Sequence, residues 1–432
     1  MKNIKIAILA AAAAALLPSC GNNSSMSPEL AEKINSDARI DTVCVRAERL
    51  VKGGLNAGDG YAEVWIRDLN TFISVACEVS DRDKLKDALA NFFRFQGEDG
   101  NIDDGYVQAR PGMTGYDYKF TDAAPGLAAH KNTVETDQES SLVQAVYKYV
   151  KSTGDTAFLS EEICGRTVLD RMGDALRYLL NERWVPEYGL LWGATTADWG
   201  DVQPEHPWGV ALDENSHLCI DIYDQAMFLI AIGNYTELLQ DEAEKNFWNT
   251  KQKEIRAAVR KWLWDEGKCK YRPHIYLNGS PFPADLDEDA IHYHGGSAIA
   301  ILAGLNTPEE VIEIYRQQEK NRIAAGAQTI GLTVYPPYPA GTFRNEGMSP
   351  YSYQNGGDWT WFGARMISAL IKYGYYEEAY TSLQPMLQRV IDHNGFYEWW
   401  TPAGEPSGSG MFRGSAGVLW SACGELREAA GK

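Results

Sequence analysis

Two groups of carboxylic acids lie in strongly aromatic surroundings in this 432-residue chain. Residues 192–213 begin Trp-Gly-Ala-Thr-Thr-Ala-Asp-Trp-Gly-Asp and set Asp198 and Asp201 among Trp192, Trp199 and Trp208. Such neighbours strip water from a carboxyl and raise its pKa, as a general acid requires. Residues 394–401 read Asn-Gly-Phe-Tyr-Glu-Trp-Trp-Thr and place Glu398 in a second aromatic wall. Either acid alone has an ordinary explanation, as a turn residue or a buried hydrogen-bond acceptor. As a pair they match the needs of glycosidic-bond hydrolysis. One carboxyl protonates the leaving oxygen, and the other takes a proton from water or attacks directly.

Other residues have the chemistry to hold a sugar. Trp65-Ile66-Arg67-Asp68 and Glu135-Thr136-Asp137-Gln138 each open a helical pattern, and the region 331–361 contributes Tyr353, Gln354, Asn355, Asp358 and Trp359. Acids at helix starts complement the helix dipole. Trp65 and Arg67 beside Asp68 offer more, because hexoses are held by an aromatic face together with bidentate polar contacts. His292 and His294 follow Asp285, Asp287, Glu288 and Asp289. A metal site is conceivable there, but a solvated loop entering a helix is the simpler reading.

These residues need a frame. Three- and four-residue apolar spacing predicts twelve helical segments, at 28–50, 66–79, 82–97, 136–151, 163–184, 216–240, 241–264, 290–304, 307–320, 356–374, 375–393 and 412–426. Joints near Ser80, Gly154, Asp241, Asn306 and Gly374 are short. Those at 51–65, 98–135, 185–215, 265–289, 321–355 and 394–411 are long and rich in Gly, Trp, Tyr, Asp and Glu. A chain running up and down through helices puts alternate joints at opposite ends, so the long loops gather on one face. Several segments, 290–304 and 356–371 among them, are apolar or small on most sides and must be enclosed by the rest. The expectation is all-α: an (α/α)6 toroid of six helical hairpins in one large domain. An open helical solenoid is the rival, but no repeat of fixed period supports it.

Residues 1–20 stand apart from the fold. A short basic start, an apolar stretch from Ile6 to Leu17 and Leu17-Pro18-Ser19-Cys20-Gly21 resemble a bacterial lipoprotein signal, with Cys20 as the lipidated residue. Residues 21–27 read as a polar tether and 28–432 as the folded domain. The expected location is an exported protein held by its lipid at a bacterial membrane, periplasmic or at the cell surface. A net charge of −19 supplies no basic footprint for nucleic acid. The other six cysteines are scattered, without metal-site spacing.

Four stretches in chain order resemble one known group. Trp65-Ile66-Arg67-Asp68 is similar to the Arg-Asp motif of alkaline/neutral invertases and of the glucosidase domain of glycogen-debranching enzymes. Residues 135–155, ETDQESSLVQAVYKYVKSTGD, resemble the invertase stretch in which an Asp starts a helix ending in Thr-Gly-Asp. Asp198-Trp199-Gly200-Asp201, followed by Asp224-Gln225-Ala226, resembles their Trp-x-Asp loop and the Gln-Ala helix after it. Tyr353-Gln354-Asn355-Gly356-Gly357-Asp358-Trp359 resembles their Tyr-His-Asn-Gly-x-x-Trp signature, with Gln354 in place of His. Phe396-Tyr397-Glu398-Trp399-Trp400 falls where they carry the base.

The resemblance implies a six-hairpin glycoside hydrolase, exo-acting and inverting, that requires no cofactor or metal. Asp201 would be the acid, with Asp198 as the alternative, and Glu398 the base. Asp68, Arg67, Asp137, Gln225 and Asn355 would line the −1 sugar subsite. Trp65, Tyr353, Gln354, Asp358, Trp359 and Trp399 would complete the substrate-binding surface. The partner is an oligosaccharide, with the membrane reached only through the lipid. Val202-Gln203 after the acid departs from the invertase motif and leaves the sugar unnamed. Two alternatives share the toroid: a glycan-binding lipoprotein without chemistry, and a polysaccharide lyase or epimerase. The acid-rich, base-poor loops speak against a lyase.

Overall fold

The computed structural model describes residues 25–431, so the export segment, Cys20 and most of the polar tether lie outside the described residues. Thirteen α-helices occur among the described residues: α1 (Pro28–Ser36), α2 (Ala38–Lys52), α3 (Ile66–Val79), α4 (Arg82–Phe95), α5 (Gln138–Thr153), α6 (Val168–Glu182), α7 (Ile222–Leu238), α8 (Glu242–Trp262), α9 (His294–Leu302), α10 (Pro308–Ala325), α11 (Thr360–Lys372), α12 (Tyr376–Asp392) and α13 (Arg413–Ala429). The first expected helix is two. Asp37 ends α1 and caps α2, its carboxylate accepting from the Arg39 amide at 3.0 Å. Other ends follow sequence cues. Thr307 and Glu310 form a capping box at the start of α10, and Gly154 closes α5 in the left-handed region at φ 72°.

The odd-numbered helices from α3 to α13 form the inner ring. α3 packs on α5, α5 on α7, α7 on α9, α9 on α11 and α11 on α13, and α13 returns to α3. The even-numbered helices lie outside, with α2 closing the seam against α3 and α13. Inner helices are therefore buried on nearly every side. α7 buries Ile222, Ala226, Phe228, Leu229, Ala231 and Ile232, whereas outer α8 buries only Trp248, Ile255 and Val259. At the seam a Cβ on Gly417 would lie 2.4 Å from the Phe72 Cα, so only glycine lets α13 approach α3 this closely.

Each inner helix follows one of the long connections, so all six begin on the same face. Those connections are not structureless. Antiparallel ladders tie Val64–Trp65 to Gly105–Gln108 and that strand to Leu127–His130. Others join Gly193–Ala194, Leu218–Ile220 and Ile275–Tyr276. Trp399–Trp400 pairs with Pro406–Ser407, and Asp358 bridges to Trp400. Ladders and bridges displace the expected starts of three inner helices from 216, 290 and 356 to Ile222, His294 and Thr360, and α5 begins at Gln138, two residues later than expected. The joint at Gly154 also differs from expectation. It holds a 3-10 turn, Thr156–Ser160, and a small hairpin over Glu162–Thr167.

Candidate active site

Glu398 stands just before the last inner helix and is held from two sides. Its Oε1 accepts from the Tyr61 hydroxyl at 2.9 Å, and its Oε2 accepts from the Ser409 amide at 2.8 Å. The Ser409 hydroxyl donates to Asp59 at 3.0 Å and accepts from the Gly60 amide at 2.9 Å. The loop before α3 and the loop before α13 thus lock one carboxylate in place. Burial raises the Glu398 pKa above the usual glutamate value, and the nearby charge of Asp201 adds to this. The Ser409 and Tyr61 hydrogen bonds oppose it.

Asp201 is half-buried and accepts from Gln354 Nε2 at 3.0 Å. It shares one electrostatic site with Glu398, because the phenols of Tyr61 and Tyr353 both lie in the field of both carboxylates. The same loops carry an aromatic cluster. Trp199 meets Trp359 at 4.9 Å, Trp361 at 5.2 Å and Phe362 at 5.1 Å between ring centroids. The Trp359 indole donates to the Tyr353 carbonyl at 2.9 Å.

A second group of charges surrounds Arg67. Its guanidinium donates to Asp104 at 2.7 Å, pairs with Glu135 and lies 3.9 Å from Asp137. Asp137 also accepts from the Tyr223 hydroxyl at 2.9 Å. Asp68, on the next residue of α3, is fully buried, and that burial pushes its pKa up to about 7 against the pull of Arg67. Several buried polar atoms here have no hydrogen-bond partner in the protein: Trp65 Nε1, Arg67 Nε, Asp68 Oδ1, Asp137 Oδ1 and Gln354 Oε1. Buried polar groups are ordinarily paired. A cluster of unpaired donors and acceptors beside two carboxylates is what a hydroxyl-rich ligand would satisfy.

Four residues expected in the site are occupied elsewhere. Asp198, at φ 67°, turns both oxygens onto the Gly296 amide at the start of α9, at 3.0 and 2.9 Å. Burial raises its pKa to about 8, but it serves as a helix cap. A Cβ on Gly296 would come within 2.6 Å of that carboxylate, which accounts for the glycine. Gln225 makes both amide hydrogen bonds to the backbone of Leu191, at 2.8 and 2.9 Å. Asn355 binds Tyr338 and Met348 backbone groups with both ends of its amide. Asp358 is fully buried, paired with Arg389 at 3.0 Å and Thr329 at 2.7 Å. These three fix the loops and leave no group for a sugar.

Two expected aromatics are also less open than the sequence suggests. Trp359 is buried in the aromatic cluster, and Trp399 is half-buried with its ring against Gly357 and Gly408. His294 binds the Leu332 carbonyl and Asn321, so its ring supports α9 rather than pairing with His292 around a metal. Sequence reasoning passed over Tyr61, Ser409, Asp104 and the direct pairing of Glu135 with Arg67. The only available signals were Gly58-Asp59-Gly60-Tyr61 and the doublet Asp103-Asp104, both of which read as turns.

The pKa of Asp68 makes a prediction. Its carboxyl titrates near 7 in the folded chain and near 3.8 when unfolded, so the native state holds the extra proton between those values. Asp68 should therefore erode stability as pH rises from about 4 to about 7. In Asp68→Asn, thermal unfolding at pH 8 should move up by a few degrees relative to the unaltered chain, with the gap closing at pH 4. The same offset at both pH values would show that Asp68 does not carry this proton.

No family model and no curated protein matches the chain by sequence. Solved structures do match. A GH63 mannosylglycerate hydrolase from Thermus thermophilus, in complex with Tris and D-glycerate, aligns over 88% of this chain and 100% of its own, with TM-score 0.63 and 15% identity. A GH78 family rhamnosidase of Bacillus sp. GL1 aligns over 89% of this chain and 34% of its own, with TM-score 0.60 and 14% identity. A rhamnosidase from Klebsiella oxytoca with rhamnose bound aligns over 89% of this chain, with TM-score 0.57 and 17% identity, and the chain spans 63% of that protein's length. The chain has the (α/α)6 toroid fold of these glycosidases.

Proposed function

We propose that the protein is an exo-acting, inverting glycoside hydrolase with Asp201 as general acid and Glu398 as general base. The observation that carries this is the pair itself. Two carboxylates from loops far apart in sequence share one electrostatic site at the mouth of the ring, with Tyr61 and Tyr353 in the field of both. In the reaction the Asp201 proton passes to the glycosidic oxygen as the bond from the anomeric carbon breaks. Glu398 draws a proton from water, whose oxygen attacks the same carbon from the opposite side of the ring. The Tyr61 and Ser409 hydrogen bonds orient Glu398 for this task. Trp65, Arg67, Asp68, Asp137 and Gln354 supply the unpaired polar atoms that would meet the −1 sugar. A hexopyranoside is the substrate class, in keeping with the rhamnose and mannosylglycerate named for the neighbouring structures.

On a panel of α- and β-linked oligosaccharides, Asp201→Asn and Glu398→Gln should each lose at least about 100-fold in kcat, within the usual scale for removing a catalytic acid or base. Asp198→Ala should instead lower the unfolding temperature, because it removes the acceptor of the Gly296 amide. Full turnover in either of the first two variants would remove that residue from the mechanism. Glycan binding without turnover by the unaltered protein would favour a binding role.

We further propose lipidation at Cys20. α2 runs toward the site face and Asn35 of α1 bonds Ala430 at 3.0 Å, so the junction of α1 and α2 lies at the opposite face of the ring. Metabolic labelling with a fatty acid should mark the unaltered protein and not Cys20→Ser; equal labelling of both would refute the anchor.

A further inference from the structure

Trp208 is 62% exposed, yet its loop is tightly pinned. The Val210 carbonyl accepts from the Thr133 amide at 2.8 Å, and the Leu212 amide donates to the Thr133 hydroxyl at 2.8 Å. Gln203 donates to the Ala211 carbonyl at 3.2 Å. A large indole held in water on a rigid loop contributes little to folding. Its ring meets Tyr116 edge-on, 6.4 Å between centroids at 82°. Tyr116 in turn lies flat on His130, at 3.9 Å and 3°, and Tyr118 packs edge-on against the same imidazole at 5.9 Å.

This wall is continuous with the charged group. The His130 carbonyl accepts from the Asp104 amide at 2.9 Å, and Asp104 pairs with Arg67. Tyr116 also lies in the field of Glu63, Asp201 and Asp104. Both ring nitrogens of buried His130 lack a partner in the protein. Apolar ring faces with a few unpaired polar atoms are the usual lining of a ligand site, and a Trp or Tyr face gives contact area at low entropic cost.

Resting on the hydrolase reading, we infer that Trp208 and Tyr116 form the platform for the sugar on the leaving-group side of the scissile bond. The acid that protonates the glycosidic oxygen lies next to the leaving group, and Trp208 follows Asp201 on the same loop. A pyranose stacked there would present its C–H face to the indole. The substrate is then a disaccharide or longer, with recognition on both sides of the bond.

The test compares Trp208→Ala with the unaltered protein on glucosyl, mannosyl and rhamnosyl fluorides of both anomers, which carry no leaving sugar, and on the matching disaccharides. The ratio of kcat/KM for disaccharide to that for fluoride should fall about ten-fold, equivalent to about 1.4 kcal/mol, chiefly through KM. An unaltered ratio overturns the platform. If the unaltered protein hydrolyses no fluoride and no disaccharide, the hydrolase reading fails separately. The platform is then judged by binding to the same disaccharides: weaker binding by Trp208→Ala supports it, and equal affinity overturns it. Unchanged thermal unfolding confirms that the variant is folded.

Discussion

The buried guanidinium of Arg67 is the interaction on which the mouth of the ring depends. It draws Asp104 and Glu135 into contact and keeps Asp137 within 3.9 Å, gathering acids from the connection between α4 and α5 onto the first turn of α3. Taking carboxylates out of water is expensive, and removing one partner from such a pair typically costs about 3–5 kcal/mol. The toroid offers further compensation. All six inner helices among the described residues start at this face, and their N-termini favour negative charge. A fold whose inner helices run the same way can therefore concentrate acids at one mouth where an antiparallel bundle would alternate the dipoles.

Within that field the acids divide by what holds them. Asp358 has Arg389, Asp198 has the Gly296 amide, and Asp137 has Tyr223 and Arg67. Asp198 turns both oxygens onto the start of α9, whereas Asp201 and Glu398 are held by loop groups: Gln354 for one, Tyr61 and the Ser409 amide for the other. A carboxylate paired with a buried arginine, as Asp358 is, is committed to that ion pair. The distinction that matters between Asp198 and Asp201 is thus made by their partners, not by aromatic surroundings, which they share in sequence.

Much of the frame was legible beforehand. The helical period, the Thr307-Pro308 start and the alternation of short and long joints led to the ring and to the face carrying the site. The site was legible in type more than in detail. Tyr61 and Glu398 are 337 residues apart, and Gln354 and Asp201 are 153 apart, separations that no local pattern encodes. Gln225 and Asn355 look like sugar ligands in sequence because amides suit hydroxyls, but amides equally suit backbone, and here backbone wins. The missed break at Asp37 and the shifted starts of α7, α9 and α11 share one cause. Caps and two-residue ladders compete with the helix over a few residues, and helical periodicity does not detect them.

The proposed reaction is a single displacement carried by Asp201 and Glu398 across the anomeric carbon. It is tested most directly by following the first-formed anomer with proton NMR as the unaltered protein hydrolyses a substrate of defined linkage, before mutarotation mixes the products. A single displacement gives an initial product with the configuration opposite to the bond cleaved. Initial release with retained configuration would contradict it, since retention requires a covalent intermediate on a carboxylate close to the acid.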